Sequence, residues 1–380
     1  MLFGTGIRGS STGGAIATIA GEPVPVLGAT AQGSFAGLDQ VNLGPLPRTL
    51  AGRRGTVGVA LIVDNVPANR VTIAPTLPAT GEWGRRADLP QPNSEISVAE
   101  LDGRVYVIGG YPSSRITVAT VQVYDTSSDS WSLLTPLPTP LNHAMAAGVN
   151  GKLYVIGGQT TSDGAGNFVD TVYEYDPMTV GWTRRTPMPT ARGAGATAVV
   201  GDRIYVAGGR PPRGADFAVY DARANTWTTL PNLPTQRNHL AAAAIGGKVY
   251  VVGGRFEGGF QSPQTDAVEV FDPAANTWAT RARLPIPRGG VNGLEAMGCL
   301  HVFGGEGNNN APSGVYPDHD VYNPLTNTWT RLGPMPIPVH GVTGAAFVDG
   351  LIYLPGGGTS EGGSSGSRFH QVYRPPAACR

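Results

Sequence analysis

Residues 106–110 read YVIGG, and residues 154–158 repeat the same five letters. An aromatic residue, two β-branched residues and a glycine pair read as a strand that runs into a turn. Glycine doublets close comparable runs at Gly109, Gly157, Gly208, Gly253, Gly304 and Gly356, with spacings of 48, 51, 45, 51 and 52. Trp83, Trp131, Trp182, Trp227, Trp278 and Trp329 follow one another at 48, 51, 45, 51 and 51. Two markers of different chemistry keep one beat, short step included. A period near 50 residues is that of a solenoid, a propeller or an array.

Within one period the pattern is all β. In residues 140–189, HAMAAGV and KLYVIGG flank Asn150-Gly151, a two-residue hairpin signal because both turn positions need positive φ. Asp102-Gly103, Gly246-Gly247 and Asp349-Gly350 fill the same slot elsewhere. A variable loop, then TVYEYDP, then GWTRRTPMP complete four short strands, a to d. Strand a carries small side chains (AMAAGV, AGATAVV, LAAAAI), which suit strands converging on an axis, while Trp and Tyr mark c and d, where diverging sheets leave space to fill.

Composition agrees. Among 380 residues there are 55 Gly and 33 Pro, so turns are many. The charges cancel at 27 against 27, which leaves no electrostatic footprint for nucleic acid or an anionic membrane. No apolar run is long enough for a membrane span. Cys299 and Cys379 are too few for a disulfide framework or a cysteine zinc site, and they leave the redox compartment undecided. No metal and no cofactor are expected. The start, MLFGTGIRGSSTGG, has neither the basic nor the apolar region of a recognisable signal peptide.

From about residue 79 onward the chain resembles a kelch-repeat β-propeller: the Gly-Gly doublet, the aromatic-Asp-Pro turn (YDPMTVGW, FDPAANTW) and the spaced Trp all match. The tail from Tyr373 aligns with a strand c and then stops, whereas GEWGRRADLP around Trp83 is a strand d without a preceding doublet. The expected architecture is therefore all-β, a six-bladed kelch propeller over residues 79–380 whose last blade is closed by the strand around Trp83. Residues 2–74 resemble an immunoglobulin-like (IPT/TIG-like) sandwich, carried by LFGTGIRG, LAGRRGTVGVAL and PANRVTIA. Residues 1–75 are thus expected to form that β-sandwich. Such modules end many predicted secreted bacterial proteins, which implies an extracellular or periplasmic location. A strand usually precedes LFGTGIRG, so Met1 is read as an internal methionine of a longer product.

In kelch propellers ligands typically bind on the face built by the d-to-a and b-to-c loops. Counting back from the doublets aligns Asn93, Leu141, Arg192, Arg237, Arg288 and His340. Two residues on stand Glu95, His143, Ala194, His239, Gly290 and Val342. Tyr111, Gln159, Arg210, Arg255 and Glu306 follow the doublets. The expected ligand-binding set is Glu95, His143, Arg192, Arg210, Arg237, His239, Arg255, Arg288, Glu306 and His340. Clustered arginine suits an acidic peptide or glycan; the structural alternative is arginine that is salt-bridged or caps carbonyls. The expected function is non-enzymatic binding of a protein, peptide or glycan. The alternative is a carbohydrate epimerase or mutarotase, as the resemblance implies for some six-bladed bacterial members. Asp318-His319-Asp320 looks metal-like but is read as structural, because only the two aspartates share a strand face.

Overall fold

The computed structural model describes residues 78–162, 166–376 and 379, and before them 2–4, 15–19, 22–31, 39–43, 57–63, 66–67 and 71–73. Two compact units divide the chain, one holding Met1–Leu77 and Thr126–Asp129 and the other Pro78–Asp125 and Ser130–Arg380. The regular elements described are all strands. No described helix is long and apolar enough to cross a membrane.

In the first unit, Leu2–Gly4, Asp39–Leu43 and Val26–Ala31 form one antiparallel sheet. Glu22–Val24, Ala15–Ile19, Val57–Val63, Val66–Pro67 and Val71–Ile73 form the other. Ala17, Ile19, Val59 and Leu61 are buried in it. Val63 pairs with Val66 across Asp64-Asn65, which themselves lie outside the described residues. So does the whole LAGRRG phrase.

The second unit repeats one antiparallel sheet. Its first copy is Ile96–Leu101 (a), Arg104–Ile108 (b), Val121–Asp125 (c) and Ser130–Leu133 (d). The same order recurs in sheets that begin at Met145, Ala196, Ala241 and Asn292. In the last, Ala346–Val348, Leu351–Pro355 and His370–Tyr373 are joined by Trp83–Arg85, with Tyr373 paired to Trp83 and Gln371 to Arg85. Each strand a packs on strand a of the next sheet, and Ala346–Val348 packs on Ile96–Leu101.

The markers of the repeat have distinct physical uses. Asn150-Gly151 turns with φ of 54° and 70°, and Asp102-Gly103 with 51° and 74°, both left-handed as a tight hairpin needs. Met297-Gly298 does the same at 55° and 83°, without any turn signal from methionine. The first doublet glycine meets the next sheet: a Cβ on Gly109 would lie 2.1 Å from the Leu141 carbonyl oxygen, and one on Gly304 2.1 Å from that of Val339. Small residues in strand a follow from the same crowding, since a Cβ on Gly148 would meet the Glu100 carbonyl at 2.0 Å. Every Trp leans on the strand-c aromatic of its own sheet, from Tyr373–Trp83 at 5.0 Å to Phe271–Trp278 at 5.2 Å. Its indole N–H donates to a carbonyl of the preceding sheet, as Trp182 to Thr135 (3.0 Å), Trp227 to Thr186 (3.0 Å) and Trp83 to Gly333 (3.2 Å). Each such bond adds about 1 kcal/mol and stitches neighbours at their outer edge.

Cys299, at the start of a strand b, forms a disulfide with Cys379. Asp318 and Asp320 both hold Arg331, at 2.6 and 2.9 Å, while His319 turns away to His301 at 2.9 Å.

Candidate functional site at the axis

The site is built on a backbone ring. Where each d-to-a loop nears the axis, one residue takes a left-handed conformation: Glu95 (φ 52°), His143 (51°), Ala194 (59°), His239 (54°), Gly290 (64°) and Gly341 (66°). That turn aims each amide at the same position one sheet back. His143 N–H donates to Glu95 O (3.0 Å), Ala194 to His143 (2.8 Å), His239 to Ala194 (2.7 Å), Gly290 to His239 (2.9 Å) and Gly341 to Gly290 (3.3 Å), and Ile96 N–H closes on Gly341 O (3.1 Å). Left-handed backbone is strained for a residue with a side chain, and such strain gathers at functional sites. Glu95, His143 and His239 bear side chains here all the same, at 6, 4 and 6 % exposure.

These side chains meet. Glu95 Oε2 lies 3.0 Å from His143 Nε2, and His143 Nε2 lies 3.1 Å from His239 Nε2. The residues after the doublets complete the cluster. Arg255 Nη2 donates to His239 Nε2 at 2.8 Å and its Nη1 pairs with Glu306. Arg210 Nη2 lies 3.3 Å from His143 Nε2. His340 Nδ1 reaches Glu306 Oε2 at 3.3 Å. Of these, Glu95, His143, Arg210, Arg255 and Glu306 line a cavity of about 170 Å³, with Tyr111 and with Phe260 and Gly362 of two b-to-c loops.

Burial alone would raise the Glu95 carboxyl, but His143, His340 and Arg255 outweigh it and hold it well below the usual carboxylate range. Burial lowers the His143 imidazole, against Glu95 and with Arg210. Burial, then Arg255 and Arg210, push His239 well below its ordinary value. At neutral pH an ionised carboxylate thus faces two neutral imidazoles, and guanidinium groups balance it. Burial, reinforced by Arg255, also lowers Arg210. Arg210 has no carboxylate within 4.0 Å among the described residues, and its Nε has no partner.

The structure divides the ten expected residues. Glu95, His143, His239, Arg210, Arg255, Glu306 and His340 stand together. Arg192, Arg237 and Arg288 do not line the cavity. They occupy the loop position two residues before the ring, where the side chain runs between sheets. Arg237 pairs with Glu269 at 2.6 Å and donates to Val251 O; Arg288 pairs with Asp320 at 2.8 Å and donates to Gly304 O; Arg192 donates to Val206 O. Burial pushes Arg192 down to about 10. Counting also misplaces the last sheet by one residue. Val339, not His340, receives the doublet amide there, and Gly341, not Val342, takes the ring position. The cause is one additional residue in strand a, which breaks into Val342–Thr343 and Ala346–Val348. His340 enters the cluster from the bridge position opposite Gly358.

Asn142 and Asn238 escaped the sequence reading. Each side-chain oxygen accepts from the Nδ1 of the histidine that follows it. The repeated dipeptide Asn-His, at 142–143 and 238–239, was the available signal.

Comparison with known proteins agrees with the repeated four-stranded sheets. The KLHDC2/KLHL20/DRC7 Kelch-repeats domain matches residues 76–233 and 143–358, so the chain belongs to the kelch-repeat family. It is 31% identical to Kelch-like protein terF of Aspergillus terreus over 312 residues, 78% of this chain and 56% of that protein. It is 34% identical to Kelch-like ECH-associated protein 1B of Danio rerio over 102 residues, 26% of this chain and 17% of that one. The chain thus spans little more than half of the first relative and a small part of the second. A solved structure, "Structure of YjhT", shares the fold with a TM-score of 0.62 at 18% identity, over 75% of this chain and 95% of that one.

Proposed function

We propose that this chain is a six-bladed kelch propeller, its last blade completed by the strand around Trp83, behind an immunoglobulin-like module over residues 1–75. It binds one acidic unit of a glycan or peptide in the axial cavity. Arg210 carries the reading: a largely buried guanidinium facing the cavity with no carboxylate of its own. A cation so placed favours a carboxylate ligand and a two-pronged bond to it. About 170 Å³ lies below the usual range for a small-molecule pocket, about 300–1,000 Å³, so one acidic unit enters while the rest of the ligand lies on the loops. Calorimetric titration with hexuronic acids and sialic acid, against their neutral counterparts, tests it. Acidic sugars are expected to bind, and Arg210→Gln to weaken them by about 10- to 100-fold, the loss of one charged hydrogen-bonded contact. Equal binding of neutral sugars, or an unaffected variant, refutes the reading.

A second reading is supported by Glu306, whose carboxylate faces the same cavity beside Arg255 and His340. That set suits general acid–base chemistry on a bound sugar, as in an epimerase or mutarotase. Magnetisation exchange between the anomers of a bound acidic sugar, lost in Glu306→Gln, distinguishes it from binding alone. Export is part of the proposal, and the Cys299–Cys379 disulfide supports an oxidising compartment.

A further inference from the structure

The expectation of no metal did not weigh Glu95, His143 and His239 together, because they stand in three different sheets. Their ligand atoms lie within 4.8 Å of one another. The two asparagines decide which histidine nitrogen carries the proton. Asn238 Nδ2 donates to the backbone carbonyls of Arg255 (3.1 Å) and Glu257 (3.0 Å). Carbonyls only accept, so this nitrogen is the NH₂ and the other atom is the oxygen. That oxygen faces His239 Nδ1, which must be the N–H. The same logic holds for Asn142, whose Nδ2 donates to Thr161 O at 2.9 Å and to Thr117 Oγ1 at 2.7 Å while its oxygen faces His143 Nδ1.

With Nδ1 held by an asparagine oxygen, each ring turns its Nε2 to the axis. The two Nε2 atoms then lie 3.1 Å apart, and a carboxylate oxygen lies 3.0 Å from the one on His143. In a tetrahedral zinc site with Zn–N near 2.0–2.1 Å, ligand nitrogens lie roughly 3.3 Å apart, close to the separation here. An imidazole whose far nitrogen is held by a side-chain oxygen, turning the near one inward, is the support that metal-binding histidines typically have. Glu95 and His143 line the cavity, which leaves room for a further ligand.

We propose that Glu95, His143 and His239 form a divalent transition-metal site, with zinc the best match to two imidazoles and one carboxylate, its remaining position open to the cavity. Arg255 and Arg210 approach the two Nε2 atoms in the metal-free protein, at 2.8 and 3.3 Å. When the ion binds these atoms, Arg255 keeps its pairing with Glu306 and Arg210 turns towards the cavity. The proposal does not depend on the acidic-ligand reading.

Gly290 and Gly341 show that the ring accepts glycine, so glycine variants keep the backbone. Tag-free full-length protein, dialysed against a chelator, is titrated with Co²⁺ alone and with Zn²⁺ alone. We expect one equivalent of Co²⁺ to bind with visible ligand-field absorption, and Zn²⁺ to displace it. His143→Gly and His239→Gly should each weaken Zn²⁺ at least 100-fold, with a cooperative melt in the metal-free state showing that each variant still folds. Asn238→Ala should weaken it by about 10- to 100-fold, as for other supporting partners. Lack of saturable binding of both ions, or binding that His239→Gly leaves unchanged, overturns the site. Arg210→Gln should lose the acidic sugar and keep the metal, so the two proposals fail separately.

Discussion

Histidines away from the axis set a limit on acid stability. Burial pushes His301 down to about 4 and His370 down to about 3. His301 is bonded to His319, and His370 packs edge-on to Tyr124 at 4.5 Å, so neither has room for a hydrated proton. In the unfolded chain both titrate near 6.5. Between that value and their folded values the unfolded state binds more protons, so stability is complete above about pH 6.5 and falls as the pH drops towards 4 and 3. Calorimetry should show the melting temperature falling by several degrees from pH 6.5 to 4.5, with a shallower fall in His370→Phe. Equal slopes in the two proteins would remove His370 from the account. At this scale the sequence was only half legible. Counting located Glu95, His143 and His239, yet it could not separate Arg210 and Arg255 from Arg192, Arg237 and Arg288. All are loop arginines next to glycine or the ring. What divides them is the partner each finds: Glu269 and Asp320, which hold Arg237 and Arg288, stand on the third strand of the sheet that follows, and nothing local marks that.

Strands were far more legible than side chains. The period, the hairpin dipeptides and the aromatic beat each reflect a local rule, and each repeat confirms the others. The register of the last sheet was not, since a one-residue bulge in Val342–Val348 leaves no mark in composition. Trp83–Arg85 is the element most exposed to a direct test. It covers the edge of His370–Tyr373, and Trp83 stacks on Tyr373. Deletion of residues 79–90 leaves that edge unpaired, and open edges invite pairing with other chains. The melting temperature should fall by many degrees and light scattering should show association; an unchanged monomer with unchanged melting would refute the role.

For the whole molecule, the disulfide matters more than a pair of cysteines suggested. It closes a separation of 80 residues, so chain entropy alone assigns it about 4–5 kcal/mol. Cys379→Ser should therefore melt several degrees lower than the oxidised protein and match the reduced one. No melting difference would mean that the tail contributes nothing. Sequence separation hid this pair: neither cysteine lies in a motif, and 80 positions in the chain separate them. The hydrogen-bonded ring at the axis has a different consequence. Its backbone is the same whether the residue is Glu95, Ala194 or Gly290. The ring thus works as a plate of sockets, and they are not alike: a Cβ on Gly341 would lie 2.9 Å from the Glu95 carboxylate, and one on Gly290 3.3 Å from that of Glu306. Three now carry a chemical group and three, Ala194, Gly290 and Gly341, are blank. A change of ligand is thus simplest at Ala194, which already carries a Cβ at φ 59°; a plug at Gly341 would have to displace Glu95.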